Sequence, residues 1–398
     1  MNWEAIKGMG RRSYNPVLSA DTMQPMSLKR KHVSPLILGI ETSCDDTACA
    51  LVDGRGVVHA SVVSSQLAAH QPYGGVVPEI ASREHLANWP TVLDRALTRS
   101  RFDLDSVEAV AATRGPGLVG SLLVGLSIGK ALARGLERPF FAVHHLEGHL
   151  YSPFLKIGGE RADQPPENFV ALVVSGGHTA LYRVESASIT TVAETRDDAM
   201  GEVFDKVGKK LGLDYPQGPK VDEVAEAAEK LGGPAPTFGV ARCSDQSLDF
   251  SFSGLKTEAL RSLERVLGSD QDTDLGGEPA TRPEIAAVLV GFRVSAVAQL
   301  VDRLDRLYRQ QPFTALAVSG GAAANRLLRR RLLEWAEAKG VDLRLVPLEL
   351  AGDNAAMIAH AAARRSLRGE AGDSWAVEAQ SRVAVGGFVG VVEQVPLA

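Results

Sequence analysis

The feature that most constrains this chain is a pattern that occurs twice. Residues 36–41 read as a short buried strand, 42–47 as a polar turn and 48–53 as a returning strand, and residues 57–64 add a third. Residues 169–174, 175–179 and 180–185 repeat strand, Ser/Gly/Thr turn and strand. Later in each half a strand runs into a glycine turn and then a helix. The first such unit is 107–113, Arg114-Gly115-Pro116-Gly117 and 119–136; the second is 315–318, Ser319-Gly320-Gly321 and 323–339. Repeated units of this kind predict an α/β chain of two similar halves, with a ligand between them and turns from both facing it. The expected division is a leader at 1–35, a first lobe of 36–145 plus 352–370, a second lobe of 146–351, and a tail at 371–398 that carries no functional signal.

Several stretches carry chemistry. His145 and His149 lie four residues apart. On a helix they share one face, and both imidazoles can reach one ion, given further ligands from elsewhere. The alternative is a hydrogen-bonded histidine pair near the junction of the halves. Asp353 stands before a helix expected at 355–368, as a third ligand or simply as its N-cap. The 42–47 turn offers hydroxyls and two carboxylates to a phosphate, a metal-bound phosphate or an amine; taken alone, these residues read first as an Asx-rich hairpin turn with no ligand. The 114–117 turn opens a helix, a layout that offers N–H groups to an anion, although no GKS or GKT follows it. A polar segment, 158–168, separates the halves, and 268–283 reads as an acidic loop before a long helix that starts at Pro283.

Composition excludes little. A net charge of −5 gives no global attraction to nucleic acid, and a local basic groove stays compatible with it. Cys44, Cys49 and Cys243 form no CxxC, which fits a reducing compartment rather than a disulfide framework. No apolar run reaches membrane-spanning length without a charge or glycine break, so no membrane partner is expected. The leader carries Arg11, Arg12 and Lys29-Arg30-Lys31 without the apolar core of a secretory signal. A transit peptide, a disordered extension, or a true start at Met23 or Met26 are its readings.

The motifs GIETSCDDT (39–47), GGVVPEIASREH (74–85), GPGLVGSLLVG (115–125), HHLEGH (144–149), LVVSGGHT (172–179), GEVFDK (201–206), DFSFSGLKT (249–257), SGG…AN (319–325) and DNAAMIA (353–359) occur in one order. Together they resemble the universal tRNA threonylcarbamoyladenosine transferase family, over about residues 36–368. The resemblance implies an actin-like, sugar-kinase-like α/β fold with two ribonuclease-H-like lobes. It implies transfer of a threonylcarbamoyl group from threonylcarbamoyl-adenylate to N6 of adenosine 37 in tRNAs reading ANN codons, with release of AMP. By motif, His145, His149 and Asp353 become the expected ligands of a divalent metal, with Fe2+ preferred and Zn2+ the alternative. Val173, Val174, Ser175, Gly176, Gly177, Asp205, Gly218, Asp222 and Asn325 become the expected substrate-binding positions.

The implied partners are tRNA, the adenylate, a shortened non-catalytic paralogue and a P-loop ATPase subunit, with a homodimer as the other arrangement. The bacterial look of GPGLVGSLLVG and HHLEGHL implies a cytoplasmic protein. The chain departs from the family pattern at Gln217 in YPQGP, at Ala355 in DNAAM, at Asp46, and at 240–243, which read Val-Ala-Arg-Cys. Three other readings compete. A non-catalytic scaffold paralogue would have lost the His pair or Asp353, and this chain keeps all three. An actin-like ATPase or small-molecule kinase would share the fold but not the HxxxH pair. A metallopeptidase would need HExxH, whereas Leu146 follows His145.

Overall fold

The computed structural model describes residues 34–158, 164–186, 188–240, 247–268, 282–383 and 385. The leader up to residue 33, Cys243 and most of the acidic loop lie outside the described residues.

The chain runs β1 (Leu36–Glu41), β2 (Asp46–Asp53), β3 (Val57–Ser65), α1 (Leu67–His70), α2 (Pro78–Ser100), β4 (Ala109–Gly115), α3 (Val119–Gly135), β5 (Phe140–His144), α4 (His145–Tyr151) and β6 (Lys156–Ile157). It continues as β7 (Asn168–Val174), β8 (Thr179–Glu185), β9 (Ser188–Glu194), α5 (Met200–Lys210), α6 (Gln217–Leu231), α7 (Ser253–Leu267), α8 (Pro283–Gln310), β10 (Ala315–Ser319), α9 (Arg326–Lys339), β11 (Asp342–Leu345) and α10 (Ala355–Leu367).

The first sheet has the order β5-β4-β1-β2-β3-β6 and the second β11-β10-β7-β8-β9. Apart from the two-residue β6, one plan serves both. An antiparallel three-strand meander is extended on one side by two parallel strands. The duplication expected from the sequence is present at the level of strand order. β9 was not expected: Ser188–Glu194 is a largely exposed edge strand whose polar residues blur the alternation.

Both faces of each sheet are covered, so successive side chains enter different cores. In β1, Leu36, Leu38 and Ile40 pack with Trp89 and Val92 of α2 and Leu126 of α3. Ile37 faces the other way, into a central core that also holds Phe169, Ala171 and Val173 of β7. The helices α4 and α10 fill this central layer between the sheets. In β7, Val170, Leu172 and Val174 face an outer core built with α5 to α9. α10 lies very close to β1: a Cβ at Gly39 would come within 2.3 Å of the Ala355 carbonyl oxygen, so glycine is required there. α8 is, among the described helices, the one long and apolar enough to cross a membrane by length and composition, and its apolar side forms much of the outer core.

Two helix starts have local causes. α5 begins at Met200, after Asp197 and Asp198, which are engaged elsewhere. Asp197 Oδ1 accepts from the Phe252 and Ser253 N–H groups, and Asp198 pairs with Lys206 and Lys256. α6 begins at Gln217, in the turn itself.

Candidate metal centre and substrate cleft

α4 starts where β5 ends, and the His144 side chain caps it by accepting from the Leu146 N–H (3.1 Å). This places His145 and His149 one turn apart on a buried helix, their rings edge to face with centroids 4.8 Å apart. Asp353 comes from the turn before α10. The cap of α10 is Asn354, whose Oδ1 accepts from the Met357 N–H at 3.0 Å, so Asp353 is not needed as the cap. Its Oδ1 lies 3.2 Å from His149 Nε2 and 3.5 Å from His145 Nε2.

One nitrogen or oxygen atom from each of the three residues lies within 4.8 Å of the others. Ligand atoms sit about 2.0–2.2 Å from a transition-metal ion, which separates neighbouring ligands by roughly 3.0–3.6 Å. The separations of Asp353 from His149 and His145, 3.2 and 3.5 Å, lie in that range, so the three side chains suit a shared divalent cation. Both histidines are buried, while the Asp353 side chain is 31% exposed, so the set opens on the aspartate side.

Behind the histidines stands a carboxylate. His145 Nδ1 lies 3.1 Å from Glu41 Oε2 and 3.3 Å from Ser43 Oγ. Glu41 is wholly buried and accepts from Thr113 Oγ1 (2.6 Å) and the Ser43 N–H (2.5 Å). A carboxylate on the far ring nitrogen fixes a ligand histidine's tautomer and orientation. In the metal-free protein, burial disfavours the imidazolium of His145. Asp353 and Glu41 nevertheless raise its pKa to about 9. Burial likewise opposes ionised Asp353, yet His145 and His149 hold it well below the usual carboxylate range. His149 Nδ1 is buried without a partner among the described residues.

The centre lies on the wall of a 1440 Å³ cleft between the lobes. Of the expected substrate positions, Ser175, Gly176, Gly177, Asp205, Gly218, Asp222 and Asn325 line it. The side chains of Val173 and Val174 do not: both are fully buried, Val173 in the central core and Val174 in the outer one. A Cβ added at Gly176 or Gly177 would meet nothing within 4 Å, so their bareness leaves room in the cleft. His178, at the end of that turn, stays neutral, its pKa pushed down to about 4 by burial and by the charge on His145.

The two acids set loops in place. Asp205 Oδ1 accepts from the Gly218 N–H (2.7 Å), which holds the turn before α6. Asp222 accepts from Asn325 Nδ2 (2.7 Å), the Arg326 N–H (3.2 Å) and Arg293 (3.1 Å). Arg293 is wholly buried on α8 and also bonds Glu226 (2.9 Å) and Glu229 (2.6 Å). Gln217 packs its Cβ against Gly208 of α5 and has no left-handed backbone, so this departure introduces no strain.

Two readings are corrected. The 114–117 turn does not offer its N–H groups to an anion, because Gly117 donates to the Ser381 carbonyl (3.3 Å) and Leu118 to that of Ser43 (2.8 Å). The tail, read as carrying no functional signal, reaches the site: Ser381 and Arg382 line the cleft. Glu41 also went unrecognised as a supporting residue. Its signal was a lone acid closing an otherwise apolar strand. Glu147, the acid between the histidines, is buried, and its charged surroundings are Arg365 and Arg368 together with Glu370 and Asp373. It is placed for that network rather than as a peptidase base.

Comparison with known proteins follows this geometry. A family model described as tRNA N6-adenosine threonylcarbamoyltransferase matches residues 57–360. A protein of that name from Thermus thermophilus is 44% identical over 335 residues, covering 84% of this chain and 94% of its own length. Its counterpart from Salinibacter ruber is 45% identical over 338 residues, covering 84% and 96%. Among solved structures, T. kodakarensis HypF superposes with a TM-score of 0.53 at 13% identity, over 87% of this chain and 49% of HypF. That likeness speaks to the fold alone. The fold is the two-lobed actin-like, sugar-kinase-like α/β architecture.

Proposed function

The chain belongs to the tRNA N6-adenosine threonylcarbamoyltransferase family, and from that premise we propose how its cleft performs the transfer. It is an acyltransferase that modifies tRNA. We take the donor to be threonylcarbamoyl-adenylate and the acceptor to be adenosine 37 of ANN-reading tRNAs. The adenine N6 attacks the carbamoyl carbon of the mixed anhydride. The bond from that carbon to the phosphate oxygen breaks, AMP leaves with the electron pair, and N6 loses a proton.

The observation that carries this reading is the set His145, His149 and Asp353, of which His145 and Asp353 line the cleft, backed by Glu41. A divalent cation held there supplies Lewis-acid polarisation of a donor oxygen. The imidazole and carboxylate donors suit iron or zinc, and we propose Fe2+. The rest falls to the chain itself. Gly176 and Gly177 admit the donor phosphate close to the backbone. Asp205, Asp222 and Asn325 hold the second-lobe loops in one arrangement. Holding donor and amine at attack distance is the main contribution expected of such a site. Neutral His178 is available to accept a hydrogen bond at the cleft wall. We propose, on the resemblance, that a shortened paralogue and a P-loop ATPase assist, or that two copies pair. We also propose cytoplasmic residence, which agrees with the free thiols of Cys44 and Cys49.

The test is an in vitro transfer assay on the purified chain with synthase-made adenylate, an ANN-reading transcript and mass spectrometry of the nucleosides. It is run with and without the two partner proteins, beside His145→Ala and Asp353→Ala and with elemental analysis of the bound metal. Modified nucleoside that disappears in both variants supports the reading. Steady ATP turnover without tRNA, and no modified nucleoside in any combination, would move the protein to the kinase-like class.

A further inference from the structure

The acceptor is a polyanion, and the first-lobe wall of the cleft is acidic. Its ionisable lining residues, among those described, are Cys44, Asp45, Asp46, His145, Asp353 and Arg382. The carboxylates crowd one another: burial and then Asp45 push Asp46 up to about 6, and one of its oxygens is buried without a partner. The second-lobe wall carries Lys206, Lys209, Arg326 and Arg329 beside Glu202, Asp205 and Asp222. On the first-lobe side Arg382 is the one permanent cation among the described lining residues, and no element of the lobe proper supplies it. It arrives on the tail.

That tail is anchored along its length. Asp373 forms a paired contact with Arg365 of α10 (3.0 and 3.1 Å) and accepts from the Ala142 N–H of β5 (2.7 Å). Trp375 stacks on Phe140, with centroids 6.4 Å apart and planes 17° apart. Lys130 of α3 reaches the Val377 carbonyl, and the Gln380 N–H donates to the Arg114 carbonyl at 3.0 Å. The strap then crosses the glycine turn. A Cβ at Gly115 would lie 2.0 Å from the Gln380 carbonyl oxygen, so the turn's bareness makes way for the strap. Past it, the Gly117 N–H bonds the Ser381 carbonyl and His144 Nε2 lies 3.1 Å from that of Val383. The Ser381-Arg382 pair is therefore clamped on both sides at the cleft mouth, with both residues exposed.

We propose that residues 373–383 are a strap whose purpose is to set Arg382 at the cleft mouth, where its guanidinium binds a backbone phosphate beside the target adenosine and positions the tRNA. This rests on the family reading and adds a residue to it. A guanidinium matches a phosphate with paired charge-assisted hydrogen bonds, and a clamped backbone lets that contact fix register as well as charge. Without it, Asp45 and Asp46 on the first-lobe side would face the entering phosphates with no arginine or lysine beside them among the described lining residues.

The experiment uses the full-length chain, with whatever partner proteins support turnover. It measures tRNA affinity directly over a salt series, and initial rates give separate KM values for tRNA and for the adenylate. Arg382→Ala should weaken tRNA binding about tenfold and flatten the dependence of log affinity on log salt by about one. The loss should appear in the tRNA KM rather than in kcat or the adenylate KM, and Arg382→Lys should restore the salt slope. Trp375→Ala, which loosens the strap but keeps the arginine, should shift tRNA affinity in the same direction. Unchanged tRNA affinity and salt slope in Arg382→Ala overturns the inference. So does a rise in the adenylate KM alone, which would assign the guanidinium to the donor's phosphate. If the unmodified chain neither binds tRNA nor yields modified nucleoside, the family reading itself fails. A chain that does both while Arg382→Ala matches it sinks only the strap.

Discussion

At the scale of single residues, the metal centre depends on Glu41 as much as on the side chains that would touch the ion. Glu41→Gln keeps the shape but removes the charge behind His145. Metal affinity is expected to fall by about 10- to 100-fold while the fold persists, a loss that calorimetric titration with the metal would read. The same neighbourhood makes metal uptake pH-dependent. In the metal-free chain His145 is raised to about 9, so below that pH an ion must displace its proton. Apparent affinity should climb with pH, by up to about tenfold per unit below the His145 pKa, and uptake should release protons to the buffer. A flat pH profile would mean that His145 is not a ligand. His145, His149 and Asp353 were candidates in the sequence because helical spacing and a helix start leave local marks, and the family motifs named them as ligands. Glu41 was not, since its contact with His145 spans 104 positions and nothing local announces it.

Among elements, the heaviest electrostatic commitment is the junction of α6, α8 and α9. Arg293 is wholly buried and bonds Asp222, Glu226 and Glu229. Burial pushes the Glu226 carboxyl up, but Arg293 brings it below its ordinary value. Replacing Arg293 with Met would leave buried carboxylates without their cation, at a cost of about 3 kcal/mol. Chemical denaturation should register that loss, and a matching fall in donor affinity should follow as Asp222 releases Asn325. Most strands and helices could be read from periodicity to within a few residues. β9 escaped notice, because an edge position leaves half the strand in water. The strap was invisible because a segment without regular structure has no period to read.

Over the whole molecule, the duplicated plan was legible, but the middle layer was not. Periodicity says that α4 and α10 are buried without saying between what. The central core takes residues from both sheets and from both helices, so the lobes share their interior. Calorimetry of the metal-loaded chain is therefore expected to show one transition, with agreeing calorimetric and van't Hoff enthalpies. Because the ion would tie α4 to α10, chelation should lower the midpoint, by the equivalent of about 2.7 kcal/mol when the metal had stood at a hundred times its Kd. Two well-separated transitions would show that the shared core does not couple the lobes.

The distance along the chain between His149 and Asp353 also has a consequence in time. These partners are 204 positions apart, and the helix that carries Asp353 into place closes on β1 near the chain's start. A ribosome adds roughly 5–20 residues per second, so the histidines would wait on the order of ten to forty seconds for the aspartate. Through that interval the nascent first sheet lacks the helix that covers its inner face. A message cut short before that helix therefore yields a product with neither a closed first lobe nor a metal centre. Metal loading would then report, in the cell, that translation has passed α10.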